Sequence, residues 1–196
     1  MAGAAQRAPG TWHDLDAVPE GSIGEIVGGE IVVHPRPDPP HTDAASDLGT
    51  LLGGWFRFGI GGPGGWVLRD EPRVRFGSDI RVPDLAGWRA QRFVSPPLGP
   101  YTVIPDWICE ILSPSTAQGD RTVKMPLYAR SGVRFAWLLD PVLRILEVYR
   151  PEGASWLLLG TFGSAARVRA EPFDAVELDL TLVWGTGSEP PSPDDG

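Results

Sequence analysis

The chain has one cysteine, Cys109, and one lysine, Lys124, in 196 residues. A single cysteine excludes an internal disulfide framework and a multi-cysteine zinc site, and it fits a reducing cytoplasm. No apolar run is long enough to span a membrane, so no membrane partner is expected. The opening MAGAAQRAPGTW lacks the continuous apolar segment of a signal peptide, and the expected location is cytoplasmic. The glycine-rich GIGGPGGW lacks the G-K-[ST] ending of a phosphate loop. No G-x-S-x-G, H-E-x-x-H or Cys–His signature supports a hydrolase of those classes. Positive charge is scarce: 17 Lys and Arg face 25 Asp and Glu, for a net charge of −8. That balance excludes coating nucleic acid by charge alone. A nucleic-acid enzyme of this charge needs a local basic surface and a metal to screen its own carboxylates.

The chain is 42% hydrophobic and carries eight Trp, enough for one domain with a sizeable core. Residues 1–10 and the Pro-, Ser- and acid-rich 186–196 read as disordered tails around a single domain, 11–185. WHDLDAV suggests a short helix. EIVGGEIVV has the form of an N-terminal hairpin turning at Gly28-Gly29, and HPRPDPP reads as a loop. Ala44, Leu48, Leu51, Leu52 and Trp55 recur at helical spacing and predict a helix from His41 to Phe58. Strands follow in GWVLRDEPRVRF, RVPDLAGWRA and DWICEIL. A short helix through Tyr128 and Ala129 ends near Ser131-Gly132. VRFAWLLD, LRILEVYR and SWLLLGTF supply three more strands, and AVELDLTLVW reads as either a last strand or a helical turn. The order is hairpin, helix, three strands, helix, three strands. This is an α+β or mixed α/β pattern: a central mixed β-sheet flanked by few helices.

Two apolar strands carry acids out of pattern. Asp84 interrupts VPDLAGW and Glu110 interrupts DWICEIL. A buried carboxylate is costly unless paired, hydrogen-bonded or metal-bound. Alternation puts Asp106, Ile108, Glu110 and Leu112 on one face of the strand and Trp107, Cys109 and Ile111 on the other. Cys109 then reads as a small core hydrophobe. Each acid alone has a structural explanation: Asp84 as a turn cap after Pro83, Glu110 as the partner of an Arg at a sheet end. Asp106 after Pro105 reads as a strand-start residue. One turn beyond Glu110, the segment DRTVKMPLY delivers Asp120 and Lys124 on a helix. At i, i+4 they form an ordinary surface ion pair in the favourable order. Yet in a chain that writes Arg at every other basic position, a compact, tunable ammonium suggests chemistry. Two acids and a lysine are the equipment of metal-assisted phosphodiester hydrolysis. Mg²⁺, or Mn²⁺, takes oxygen ligands: Asp84, Glu110 and the Ile111 backbone carbonyl. The lysine would position or deprotonate the attacking water, or stabilise developing charge.

PDLAG, CEILSPST, DRTVKMPLY and GVRFAWLLDP together resemble the large bacterial family of restriction-endonuclease-like proteins in the PD-(D/E)XK nuclease superfamily. The resemblance runs from Ile23 to Phe162. It implies a restriction-endonuclease-like fold and a metal-dependent endonuclease acting on nucleic acid, with DNA the expected substrate. Pro83-Asp84 matches the PD of the motif and Glu110 its second acid. Leu112 stands where the motif's lysine would, and Lys124 matches a lysine moved to the following helix. The resemblance also implies site roles for His41, which would open the first helix, and for Glu30 in the hairpin. A first-turn His and a solvated hairpin Glu are the plain alternatives.

The stretch Arg69–Arg92 holds six Arg against four acids, a local +2 that leaves −10 for the remainder. Arg69, Arg73, Arg75 and Arg81 are candidates to grip phosphates bidentately; a solvated edge hairpin explains them equally. The rival to an endonuclease is a catalytically weak nucleic-acid-binding or protein-interaction module on the same fold. Convergence of Asp84, Glu110 and Lys124 discriminates the two. The oligomeric state stays open, a homodimer included.

Overall fold

The computed structural model describes residues 10–36 and 38–185. Of the expected tails, 1–10 and 186–196, all but Gly10 lies outside the described residues, and the Gly10 N–H bonds the Gly29 carbonyl at 2.8 Å. A 3₁₀ turn, Asp14–Ala17, precedes the hairpin of β1 (Ser22–Val27) and β2 (Glu30–Pro35). Gly28 and Gly29 turn it at φ +59° and +87°, backbone angles that glycine adopts without a Cβ clash. The first helix, Pro39–Leu52, starts two residues earlier than its apolar spacing predicts. Pro39 and Pro40 belong to its first turn rather than to the loop, because N-terminal helix positions need no N–H donor and suit the φ of proline. The helix continues through one wide turn, Gly53–Arg57, in which Phe58 N–H reaches the Gly53 carbonyl.

Four strands stand where two are expected ahead of DWICEIL: β3 (Trp66–Asp70), β4 (Val74–Phe76), β5 (Asp79–Arg81) and β6 (Leu85–Arg89). Gly77 at φ +65° separates β4 from β5, and Pro83-Asp84 separates β5 from β6. Then come β7 (Trp107–Ile111), the second helix (Met125–Ser131), β8 (Phe135–Asp140), β9 (Ile145–Glu152) and β10 (Ser155–Phe162). Gly132, at φ +89°, caps the second helix in the left-handed conformation. The ambiguous C-terminal segment is both things in turn: β12 (Leu178–Asp179), paired with β11 (Arg167–Val168), runs into a 3₁₀ turn, Leu180–Leu182.

The strands form two main sheets. One has six strands in the order β10-β9-β8-β7-β6-β3; the other has four, β2-β1-β5-β4. The N-terminal hairpin therefore leaves the central sheet and builds its own with β4 and β5. The six-stranded sheet is mixed. Its parallel pair is β7–β8, which requires a crossover connection, and the second helix supplies it. Side chains alternate on β7 as the sequence predicts. Trp107, Cys109 and Ile111 join the main core with Trp137 and Phe173, and Ile108 packs on the opposite face with Tyr128 and Trp88. Burial pushes the Cys109 thiol up, so it stays an inert core group. Asp106, also buried, accepts the Arg89 N–H at 2.9 Å and pairs with Arg92, which is its structural role.

Candidate active site

The β7–helix–β8 crossover folds the second helix and its lead-in back over Glu110. Pro126 lacks the N–H that would bond the carbonyl four residues back, and the preceding turn, Asp120–Lys124, is widened: Met125 N–H reaches the Asp120 carbonyl. Lys124 then projects onto the sheet, with Nζ 2.9 Å from Glu110 Oε2. Tyr128, one turn on and fully buried, donates its hydroxyl to Glu110 Oε1 at 2.5 Å. Asp84 arrives from the turn just ahead of the neighbouring strand, β6. Leu85 pairs with Cys109 across β6–β7, so the preceding residue lies beside the end of β7, and Asp84 Oδ2 accepts the Ile111 N–H at 2.6 Å. His41, buried in the first turn of the first helix, sets its Nε2 3.1 Å from Asp84 Oδ1. The fold thus gathers His41, Asp84, Glu110 and Lys124.

The predicted surface pair between Asp120 and Lys124 exists at 3.1 Å, but it is not on the surface. Asp120 is 3% exposed, and the Lys124 side chain only 18%. The helix lies over the acidic end of the sheet, which one-dimensional i, i+4 spacing does not reveal.

The hairpin sends a different acid from the one expected. Glu30 is exposed beside the turn and does not reach the cluster. Glu25, five residues earlier on β1, is 1% exposed. Its Oε1 accepts the Val82 N–H at 2.8 Å and lies 4.0 Å from Lys124 Nζ; its Oε2 lies 3.4 Å from Arg81 Nη1. Glu25 is a site acid that the motifs do not name, and Asp120 one that spacing alone places on the surface. The signal for Glu25 was available: it interrupts the apolar SIGEIV as Glu110 interrupts DWICEIL.

The four candidate phosphate-binding arginines do not share one environment. Arg81 is 5% exposed and spent on Glu25 and Asp79 at 3.4 and 2.8 Å. A guanidinium neutralised in the interior cannot grip a phosphate, which corrects the reading of Arg81. Arg73 pairs with Asp16 at 2.7 Å. Arg69 bonds the Tyr101 hydroxyl and lies over the Phe93 ring. Arg75, half-buried on β4, makes no side-chain pair among the described residues.

Electrostatically, the cluster has more acid than base. Burial pushes the Glu110 carboxyl well above its ordinary range, and Asp84 and Asp120 push the same way; Lys124 and the Tyr128 hydroxyl pull it back. Burial alone would lower the Lys124 ammonium. Glu110, Asp120, Glu25 and Asp84 together outweigh it and hold the ammonium above its usual range. Burial and the Glu110 charge likewise raise the Tyr128 hydroxyl, so it stays a donor. Among the described residues no three His, Cys, Asp or Glu side chains form a ready metal cage. A hard divalent ion needs only one or two carboxylates and keeps waters, and a cluster short of positive charge suits one.

A mixed six-stranded sheet whose parallel pair is joined by a helical crossover is a restriction-endonuclease-like architecture. The chain belongs to the Uma2 family, described as "Putative restriction endonuclease", whose model matches residues 12–182. Among solved structures, the fold is similar to a "putative nuclease belonging to DUF820" from Anabaena variabilis. The TM-score is 0.70 at 24% identity, over 90% of this chain and 98% of that one. No curated protein matches the sequence. No helix among the described residues is long and apolar enough to cross a membrane.

Proposed function

We propose that this chain is a metal-dependent endonuclease that hydrolyses phosphodiester bonds in DNA. The observation that carries the reading is the approach of Lys124 Nζ to Glu110 at 2.9 Å, with Asp84 tied to the next residue, Ile111. Membership of a restriction-endonuclease family supports it. Asp84, Glu110 and the Ile111 carbonyl would hold Mg²⁺ or Mn²⁺, which supplies Lewis acidity at the scissile phosphate. The chain's own groups do the rest. Lys124 is held charged by the surrounding carboxylates, so it orients water and stabilises negative charge on the phosphoryl oxygens rather than removing a proton. Glu25 and Asp120 flank that ammonium and fix it in place. Tyr128 holds one Glu110 oxygen and His41 orients Asp84.

The test is a panel of single-stranded, duplex and branched DNA and RNA substrates incubated with Mg²⁺ or Mn²⁺. Cleavage that disappears with chelator and in Asp84→Asn is the expected result. Binding without cleavage under either cation would instead favour a non-catalytic binding module.

A further inference from the structure

We infer that the first helix and β3 enclose a track for unpaired DNA, running from the candidate active site to Arg57 and Phe58. This rests on the nuclease reading and extends it to a substrate class. Two hollows lie along the helix. One, of about 260 Å³, is bordered by His41, Ala45, Ser46, Glu71 and Asp84, and so opens on the site itself. The second, of about 340 Å³, is bordered by Gly53, Gly54, Arg57, Phe58 and Leu68. Asp70 borders both. Positions 41, 45, 49, 53 and 57 lie four apart, and this row along the helix and its wide turn borders the two hollows in succession. At Gly49, also in that row, a Cβ would stand 3.4 Å from the Asp70 carboxylate, which marks the join.

Glycine weakens a helix interior, and no turn requires it at Gly53, whose φ is −59°. A Cβ on Gly53 or Gly54 would meet nothing within 4 Å. What these glycines provide is open floor. At the far end the Phe58 ring is 65% exposed, and the Arg57 guanidinium lies 4.8 Å from its centroid. Arg57 makes no ion pair among the described residues. An exposed aromatic beside a free arginine is the equipment for stacking one base and holding its phosphate. Asp70 at the join repels phosphate but accepts N–H groups from base edges, so bases rather than backbone face the floor. Bases locked in a duplex cannot turn into such hollows; unpaired ones can.

The test measures fluorescence anisotropy of a labelled single-stranded deoxyoligonucleotide of mixed sequence, alone and annealed to its complement, with Ca²⁺ to hold off cleavage. The parent protein should prefer the single strand. Phe58→Ala should weaken that binding roughly tenfold, the scale of one lost base–aromatic stack. Gly53→Leu fills the floor while improving helix propensity, and should weaken binding comparably with no fall in melting temperature. Unaltered binding by both variants, or a parent preference for duplex, overturns the track alone. A parent protein that binds neither form overturns the track and the nuclease reading together.

Discussion

Replacing Lys124 separates a positioned ammonium from an ordinary ion pair, and the structure changes the size of the expected effects. Lys124 faces three carboxylates: Glu110 at 2.9 Å, Asp120 at 3.1 Å and Glu25 at 4.0 Å. An exposed i, i+4 pair would contribute only about 0.3–0.5 kcal/mol, and its loss would scarcely move a melt. Here the partners are buried, and removing one member of a buried pair costs about 3–5 kcal/mol. The Lys124 side chain keeps 18% exposure, which favours the lower end. At about 3 kcal/mol, Lys124→Ala should melt roughly 6–12 °C earlier, on a scale of about 2–4 °C per kcal/mol for a chain of this size. Lys124→Arg keeps the charge but forces a larger planar fork between Glu110 and Asp120, an overpacking cost of about 1–3 kcal/mol. Both should lose cleavage by on the order of 10²-fold or more. Single-turnover cleavage, with thermal melts by circular dichroism on the same samples, reads both effects. A folded arginine variant with full activity would refute the role given to the ammonium. An alanine variant that melts with the parent would refute the buried ion-pair energetics.

Burial pushes the Glu110 carboxyl above its ordinary 4.5 even against the pull of Lys124, so this group's contribution to stability falls as pH rises above that value. Glu110→Gln should therefore flatten the decline of melting temperature as pH rises above 4.5 without divalent metal, and should abolish the stabilisation that Mg²⁺ gives the parent. A parallel slope in the two proteins would contradict this. Glu25→Gln should destabilise by about 3 kcal/mol through Arg81 and also reduce cleavage, whereas Glu30→Gln should change neither; melts and the cleavage assay together check it. Arg81→Ala should lower the melting temperature yet leave the salt slope of DNA binding intact, while Arg75→Ala should leave the melt unchanged and reduce that slope by about 1.

Local pattern was enough for the alternation along β7, the turn at Gly28-Gly29, the first helix and the three strands after the second helix. These depend on local periodicity and on backbone angles that one or two residues impose. It also exposed Asp84 and Glu110, because a charge inside an apolar strand is visible without any partner. It could not decide which acids surround Lys124. Glu25 lies 99 positions from Lys124 in sequence, on another sheet, and reaches it only after β1 pairs with β5 and the second helix crosses over β7. The same long-range packing placed Arg81 in the interior and the Asp120–Lys124 pair out of water. Local spacing fixes which side of an element a residue occupies. Whether that side meets solvent, a carboxylate or the core is decided by the element packed against it, and only the tertiary structure supplies that.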